Sequence, residues 1–212
     1  MNRTKIGWTD YSWSPVTGCL HSCPYCYARR IARRFGCDDK ARRFEPKFHP
    51  HRLREPALLK KPARIFVCSM ADLMGDWVPY EWIYRVRDVM WACPHHTFQL
   101  LTKNPGRYRD HWPENAWLGA TVTDETSAFE AAYQMQRLEG TTFMSAEPLL
   151  GYITLPDCWT PDWIIIGPMT GQGATPPPDG AIQHLTDQAV AKGVPVFHKQ
   201  ACGEGFDRRE WP

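Results

Sequence analysis

Apolar residues along the chain fall in short, almost unbroken runs rather than in alternation. Six runs, 64–70 (RIFVCSM), 96–103 (HTFQLLTK), 116–123 (AWLGATVT), 141–148 (TTFMSAEP), 162–168 (DWIIIGP) and 194–200 (VPVFHKQ), have strand length. Such runs predict strands covered on both faces, as in a parallel sheet. An earlier candidate strand lies near 11–17. Between the runs the period changes. Segment 80–93 has apolar residues at helical spacing after Pro79, a residue favoured in a first helical turn. Segment 124–140 opens on acids and closes at Gly140, and 178–193 repeats that layout. Alternating strands and helices predict an α/β fold with about six or seven mostly parallel strands, open or closed into a partial barrel. Residues 36–63 are basic, contain prolines and follow no period, which predicts an insertion or cover on a single domain spanning 1–212.

Polar residues gather where these strands end. Ser69 and Asp72, Thr102 and Lys103, Thr121 and Thr123, Ser145 and Glu147, and His198, Lys199 and Gln200 lie at the ends of five of the six runs. In parallel α/β sheets, sites form beyond the carboxyl ends of the strands. Asp72, Lys103, Glu147 and Lys199 are therefore the candidate catalytic residues.

Composition narrows the setting. The chain has 212 residues, enough for one sizeable core. It has no apolar stretch of membrane-span length and no apolar leader, so no membrane partner and a cytoplasmic location are expected. In a reducing compartment its eight cysteines are expected to be free, metal-bound or catalytic. The net charge of +2 conceals an asymmetry: from Arg29 to Arg64 there are 13 Lys and Arg against four Asp and Glu, a local +9. That excess fits an anionic partner such as nucleic acid, or a solvated basic surface. Arg29, Arg30, Arg33 and Arg34 form its leading edge and are the candidate nucleic-acid-binding residues.

The segment GCLHSCPYCYARR, residues 18–30, places Cys19, Cys23 and Cys26 at spacings of four and three. A disulfide would use two of them. A structural zinc site wants four ligands, and His21, which sits between two of the cysteines, is awkwardly placed to supply the fourth. An iron–sulfur cluster is the third possibility, since thiolates select such clusters. Three thiolates on four irons leave one iron open to a substrate or cofactor. The other cysteines, Cys37, Cys68, Cys93, Cys158 and Cys202, show no cluster spacing and are expected to be mostly buried small apolar residues. Cys202, after the last strand, is the one placed to face a site.

The C-x3-C-x2-C spacing, with Tyr25 before the last cysteine, resembles the signature of the radical S-adenosylmethionine (radical SAM) superfamily. Further segments, among them TKIGWTDYSWSPVTGC, VCSMADLM, HTFQLLTKNPGR, SAEPLLG, DWIIIGPMTGQGA and GVPVFHKQ, are similar to a compact family of phage and bacterial radical SAM-like proteins over nearly the whole chain. The cysteine loop alone also looks like that of spore photoproduct lyase. The resemblance implies a partial (β/α) TIM-like barrel, a 4Fe–4S cluster on Cys19, Cys23 and Cys26, and S-adenosylmethionine cleaved to a 5′-deoxyadenosyl radical. It implies Tyr25 near the adenine, Ser69 and Asp72 near the methionyl amine, and Thr121 and Thr123 near the ribose. Glu147 is a further candidate cofactor contact. A one-electron donor such as a flavodoxin is implied as partner, in the host cytoplasm if the protein is phage-encoded. With the basic segment, the expected substrate is a nucleic acid or nucleotide. The expected reaction is modification or isomerisation of a base, such as a hypermodified thymidine of phage DNA. The alternatives are a lyase repairing a thymine lesion and a nucleic-acid-binding module with a structural metal.

Overall fold

The computed structural model describes residues 1–109, 111–171 and 173–212. They divide into two compact units, Met1–Trp117 and Leu118–Pro212.

In the first unit, β1 (Asn2–Arg3) and β2 (Tyr11–Trp13) are antiparallel. The segment 11–17 is not one strand. Pro15 interrupts it, and β3 (Val16–Thr17) pairs instead with β4 (Lys47–Phe48) as a separate antiparallel ribbon. Helix α1 (Tyr27–Phe35) follows the cysteine loop, and the basic insertion contains two short helices, α2 (Asp39–Arg42) and α3 (Glu55–Leu58). The insertion is anchored from within: the Trp13 indole N–H donates to the Arg52 carbonyl at 2.8 Å, and Phe44 is buried against Ala28 and Ala32. The unit continues with β5 (Arg64–Val67), α4 (Tyr80–Ala92) and β6 (Thr97–Thr102). β2 pairs with β5 and β5 with β6, both parallel, around buried Trp13, Ile65, Val67 and Phe98. Pro79 caps α4 from outside, in extended backbone, rather than lying in its first turn.

Strand β7 (Ala116–Val122) crosses the boundary between the units. The second unit then runs α5 (Glu125–Met135), β8 (Thr142–Ala146), β9 (Trp163–Ile166), α6 (Ala181–Ala191) and β10 (Val196–His198). Asp124 and Ser127 close a reciprocal capping box at the start of α5, which ends five residues before Gly140. β7/β8, β8/β9 and β9/β10 are parallel. Every residue of β8, β9 and β10 is buried, as two-sided burial of a parallel sheet requires.

The fold is therefore mixed α/β with a large, mostly parallel sheet of eight strands in the order β1-β2-β5-β6-β7-β8-β9-β10. Among the described residues no pairing joins its two ends, so the sheet is not closed. Among the described residues no helix is long and apolar enough to cross a membrane.

Candidate functional site

The cysteine loop belongs to the first unit and begins where β3 ends. Gly18 takes a left-handed φ of +87°, its N–H donates to the Met70 carbonyl at 2.9 Å, and it bridges Ala71 in parallel. The Cys19 N–H donates to the Phe44 carbonyl at 3.0 Å. At the other end, Cys26 caps α1: its Sγ accepts from the Arg29 N–H at 3.3 Å. Cys19, Cys23 and Cys26 are all free and half-buried. Cys19 and Cys26 pack on an apolar layer of Ala28, Ala32 and Phe44, together with Met70. Burial pushes the Cys19 thiol up to about 11 against the opposing His21 N–H, with Asp72, Cys23 and Cys26 adding to the rise. Among the described residues, no group of three or more His, Cys, Asp or Glu side chains is drawn together so as to hold a metal ion. The three thiols share one loop without converging.

Two braces reach this loop from the carboxyl ends of β5 and β6. The chain leaves β5 through Cys68, buried at φ +60°, and the turn delivers Asp72. Asp72 is 6% exposed. Its Oδ1 accepts from Thr102 Oγ1 at 2.7 Å and the Met74 N–H at 3.0 Å. Its Oδ2 accepts from His21 Nε2 at 2.7 Å and the Lys103 N–H at 3.0 Å. Four donors use the capacity of one carboxylate. Asp72 thus does not have a free oxygen for a cofactor amine; it fastens His21, between Cys19 and Cys23, to the end of β6. The second brace is Lys103, whose Nζ donates to Tyr25 Oη at 3.0 Å and lies 5.4 Å from that ring's centre. Tyr25 lies between Cys23 and Cys26, so each stretch between cysteines has its own anchor. Ser69 serves the same assembly through its carbonyl, which accepts from Tyr27 Oη at 2.7 Å.

The four arginines do not act alike. Arg29 turns inward, donating from Nη2 to the Cys19 carbonyl at 2.8 Å beside the Phe44 ring. Arg30, Arg33 and Arg34 are exposed. Elsewhere in the basic segment, Arg52 donates to the Ser14 carbonyl, Arg43 pairs with Glu45, and Arg64 pairs with Asp10. His49 is held down to about 4 by burial, with Arg52, Lys47 and His51 adding to the effect.

The remaining candidates belong to the second unit. Glu147 and Lys199 pair at 2.9 Å over Gly167, at the carboxyl ends of β8 and β10, both partly exposed. Thr121 is half-buried in β7. Thr123 is engaged at the start of α5: its N–H donates to Ser127 Oγ, its Oγ1 to Asp124, and its carbonyl accepts from the Leu150 N–H. His198 is buried core, bonded through Nε2 to Thr186 Oγ1 at 2.9 Å. Ser145 Oγ is buried with no hydrogen-bond partner among the described residues. A cavity of about 460 Å³ is lined by Pro168, Met169, residues 174–180, Cys202 and Phe206, among others.

The cysteines outside the loop correct the expectation of general burial. Cys68 and Cys93 are buried, Cys202 is half-buried, but Cys37 and Cys158 are exposed. Burial pushes the Cys202 thiol up to about 11 and Cys68 up to about 12. Iodoacetamide at pH 8, read by peptide mass spectrometry, should therefore label Cys37 and Cys158 first and Cys68 and Cys93 last. Cys202 should lag and then accelerate roughly tenfold per pH unit, as its thiolate fraction grows. Labelling of Cys202 at pH 8 as fast as Cys37 would contradict the raised thiol.

The sequence pattern found the cysteines and Asp72 but missed the roles of His21, Thr102 and Arg29. Thr102 was marked only as a strand-end residue and Arg29 only as a basic one, and His21 only by its position between two cysteines; none of these signals showed the partner. Compared with known proteins, residues 3–209 match the profile of a family described as "Protein of unknown function (DUF5131)". No curated protein and no solved structure matches the chain.

Proposed function

We propose that this chain, which belongs to the DUF5131 family, is a radical SAM enzyme that modifies or isomerises a nucleic-acid base. The cysteine loop carries the reading: three free thiols at spacings of four and three, with His21 on Asp72 and Tyr25 on Lys103 anchoring the stretches between them. The donor set fits a four-iron cluster by its chemistry, because thiolates select iron–sulfur centres and three of them leave one iron open. Cys19, Cys23 and Cys26 would hold the cluster, which would supply an electron for reductive cleavage of S-adenosylmethionine.

The chain's own residues do the positioning. Asp72 and Lys103 hold the loop, and the layer of Ala28, Ala32, Phe44 and Met70 shields one side of Cys19 and Cys26 from water. In the second unit, Glu147 and Lys199 offer a carboxylate and an ammonium at strand ends, suited to the charged groups of a cofactor or substrate. The open, mostly parallel sheet suits the partial (β/α) barrel of this enzyme type. A flavodoxin-like electron donor and a cytoplasmic setting belong to the same proposal.

The test is anaerobic reconstitution with iron and sulfide, then a strong reductant and S-adenosylmethionine. Expected are 5′-deoxyadenosine and methionine by mass spectrometry. Iron should be largely lost in Cys19→Ala, Cys23→Ala and Cys26→Ala but kept in Cys93→Ala. Iron retained by all three loop variants would defeat the assignment. One observation favours a second reading: Asp72 holds His21 by Nε2, the carboxylate–histidine arrangement common behind zinc ligands. A three-cysteine, one-histidine zinc site predicts bound zinc, dependence on His21, and no cleavage of the cofactor.

A further inference from the structure

Helix α1 turns an unusual face outward. Tyr27, Ile31 and Phe35 are 49%, 44% and 69% exposed, although their spacing of four would ordinarily mark a buried stripe. The buried side is made only of Ala28 and Ala32. Arg30 and Arg34 border this stripe, three residues on from Tyr27 and Ile31, while Arg33 lies further round the helix beside Arg30, since residues three and four apart are neighbours. The Arg34 guanidinium lies 5.1 Å from the Phe35 ring centre, so charge and ring are presented together. Among the described residues none of these three arginines has an acidic partner. The nearby acids are occupied: Asp38 caps α2 and Asp39 pairs with Arg42. In the adjoining loop Leu20 is 50% exposed.

We infer that this outer face of α1 is a platform for single-stranded nucleic acid, with bases stacked on Tyr27 and Phe35 and phosphates held by Arg30 and Arg34. The inference rests on the nucleic-acid reading of the substrate above and narrows it to unpaired strands. Tyr27 to Phe35 spans about 12 Å of helix axis, room for about two unstacked bases, one on each ring. Rings on a surface reward bases whose faces are free, and in a duplex those faces are covered by neighbouring pairs. Arginines alone would hold any polyanion. The combination with exposed rings selects an anion that also carries flat apolar faces. Because Cys26 caps the first turn of α1, a strand lying on this face runs beside the cysteine loop.

The test is fluorescence anisotropy with cluster-loaded protein across a salt series. The probes are a labelled single-stranded oligothymidine, a duplex and an abasic oligonucleotide, all of one length. Oligothymidine should bind tightest. Phe35→Ala should weaken it about tenfold, within the range for loss of one stacked base, and leave the abasic probe unchanged. Phe35→Trp should restore binding, which separates stacking from any effect on folding. Arg30→Gln with Arg34→Gln should flatten the salt dependence by roughly 0.7 per lost phosphate contact, while Lys192→Gln, in the second unit, should change nothing. Abasic or duplex probes binding as tightly as oligothymidine, or an unaltered affinity in Phe35→Ala, would overturn the platform. So would a surface that binds none of the three but takes up an acidic protein. Cofactor cleavage is read on the same samples: binding without cleavage keeps the platform and removes the radical chemistry, and cleavage without binding does the reverse.

Discussion

Asp72→Asn is expected to lower the unfolding free energy by about 2–4 kcal/mol and, if the loop holds the proposed cluster, to cost most of the iron taken up on reconstitution. The carboxylate accepts four hydrogen bonds, two at each oxygen. An amide has one oxygen. Whichever way the Asn side chain is turned, its NH₂ group faces a main-chain N–H, that of Met74 or that of Lys103, and neither can rotate away. A buried donor left without an acceptor costs about 1–3 kcal/mol, and the clash of two donors adds to it. Thr102→Val removes one donor from the carboxylate and also the acceptor of the part-buried Asn104 N–H, so about 1–2 kcal/mol is expected there. Urea titration of both variants measures the difference, and iron content after reconstitution measures the loop. The outcome also decides Asp72's role. An anchor of the loop loses iron before any cofactor is added. A residue that only held the cofactor's amine would keep full iron and an unchanged midpoint and bind S-adenosylmethionine weakly, and that result would overturn the bracing role argued here.

Asp72 shows how far the sequence could be read. Its place after an apolar run marked it as a strand-end residue, because burial of both faces leaves a plain trace in RIFV, TFQLL and WIII. Its partner did not show. His21 lies 51 residues away, and nothing local in either segment announces the bond. Strand limits were overread for a related reason. The run 64–70 stays apolar through Val67 and Cys68, yet β5 ends because Cys68 adopts a left-handed φ that a buried cysteine does not advertise. The break in 11–17 was legible in principle, since Pro15 lacks the N–H that a continuous ladder needs. The insertion's short helices and ribbon were not. Helices of four residues have no periodicity to detect, and the insertion that carries them is anchored by tertiary contacts such as Trp13 on the Arg52 carbonyl, between the two helices.

Charge was legible only as a total. The local +9 points to an anion but does not distinguish Arg29, which is turned in on the Cys19 carbonyl, from Arg30, Arg33 and Arg34, which face solvent. Both kinds of arginine occupy one helix, and the distinction depends on which side the two alanines bury. A charge-neutral change at Arg29 should therefore disturb the cysteine loop, whereas the same change at Arg33 should alter only the outer surface.

The second large effect is expected at Gly18, the residue that aims Cys19. Gly18→Ala should destabilise the chain by several kcal/mol and abolish iron retention, for two separable reasons. The first is conformational: at φ +87° an L side chain costs about 1–2 kcal/mol. The second is space. A Cβ there would lie 2.1 Å from the Glu45 carbonyl oxygen and 2.7 Å from the Pro46 nitrogen, all main-chain atoms that no rotamer change can move. Relief requires shifting the insertion that carries Phe44, whose carbonyl accepts the Cys19 N–H and whose ring covers the apolar layer beneath the thiols. Gly140→Ala supplies the comparison, because its φ is +84° but nothing lies within 4 Å of the new Cβ. It should show the conformational cost alone, about 1–2 kcal/mol by urea titration, with iron content intact. Equal destabilisation of the two variants would mean that the insertion yields freely at Glu45. The cysteine loop would then depend on its braces at Asp72 and Lys103 rather than on its entry at Gly18.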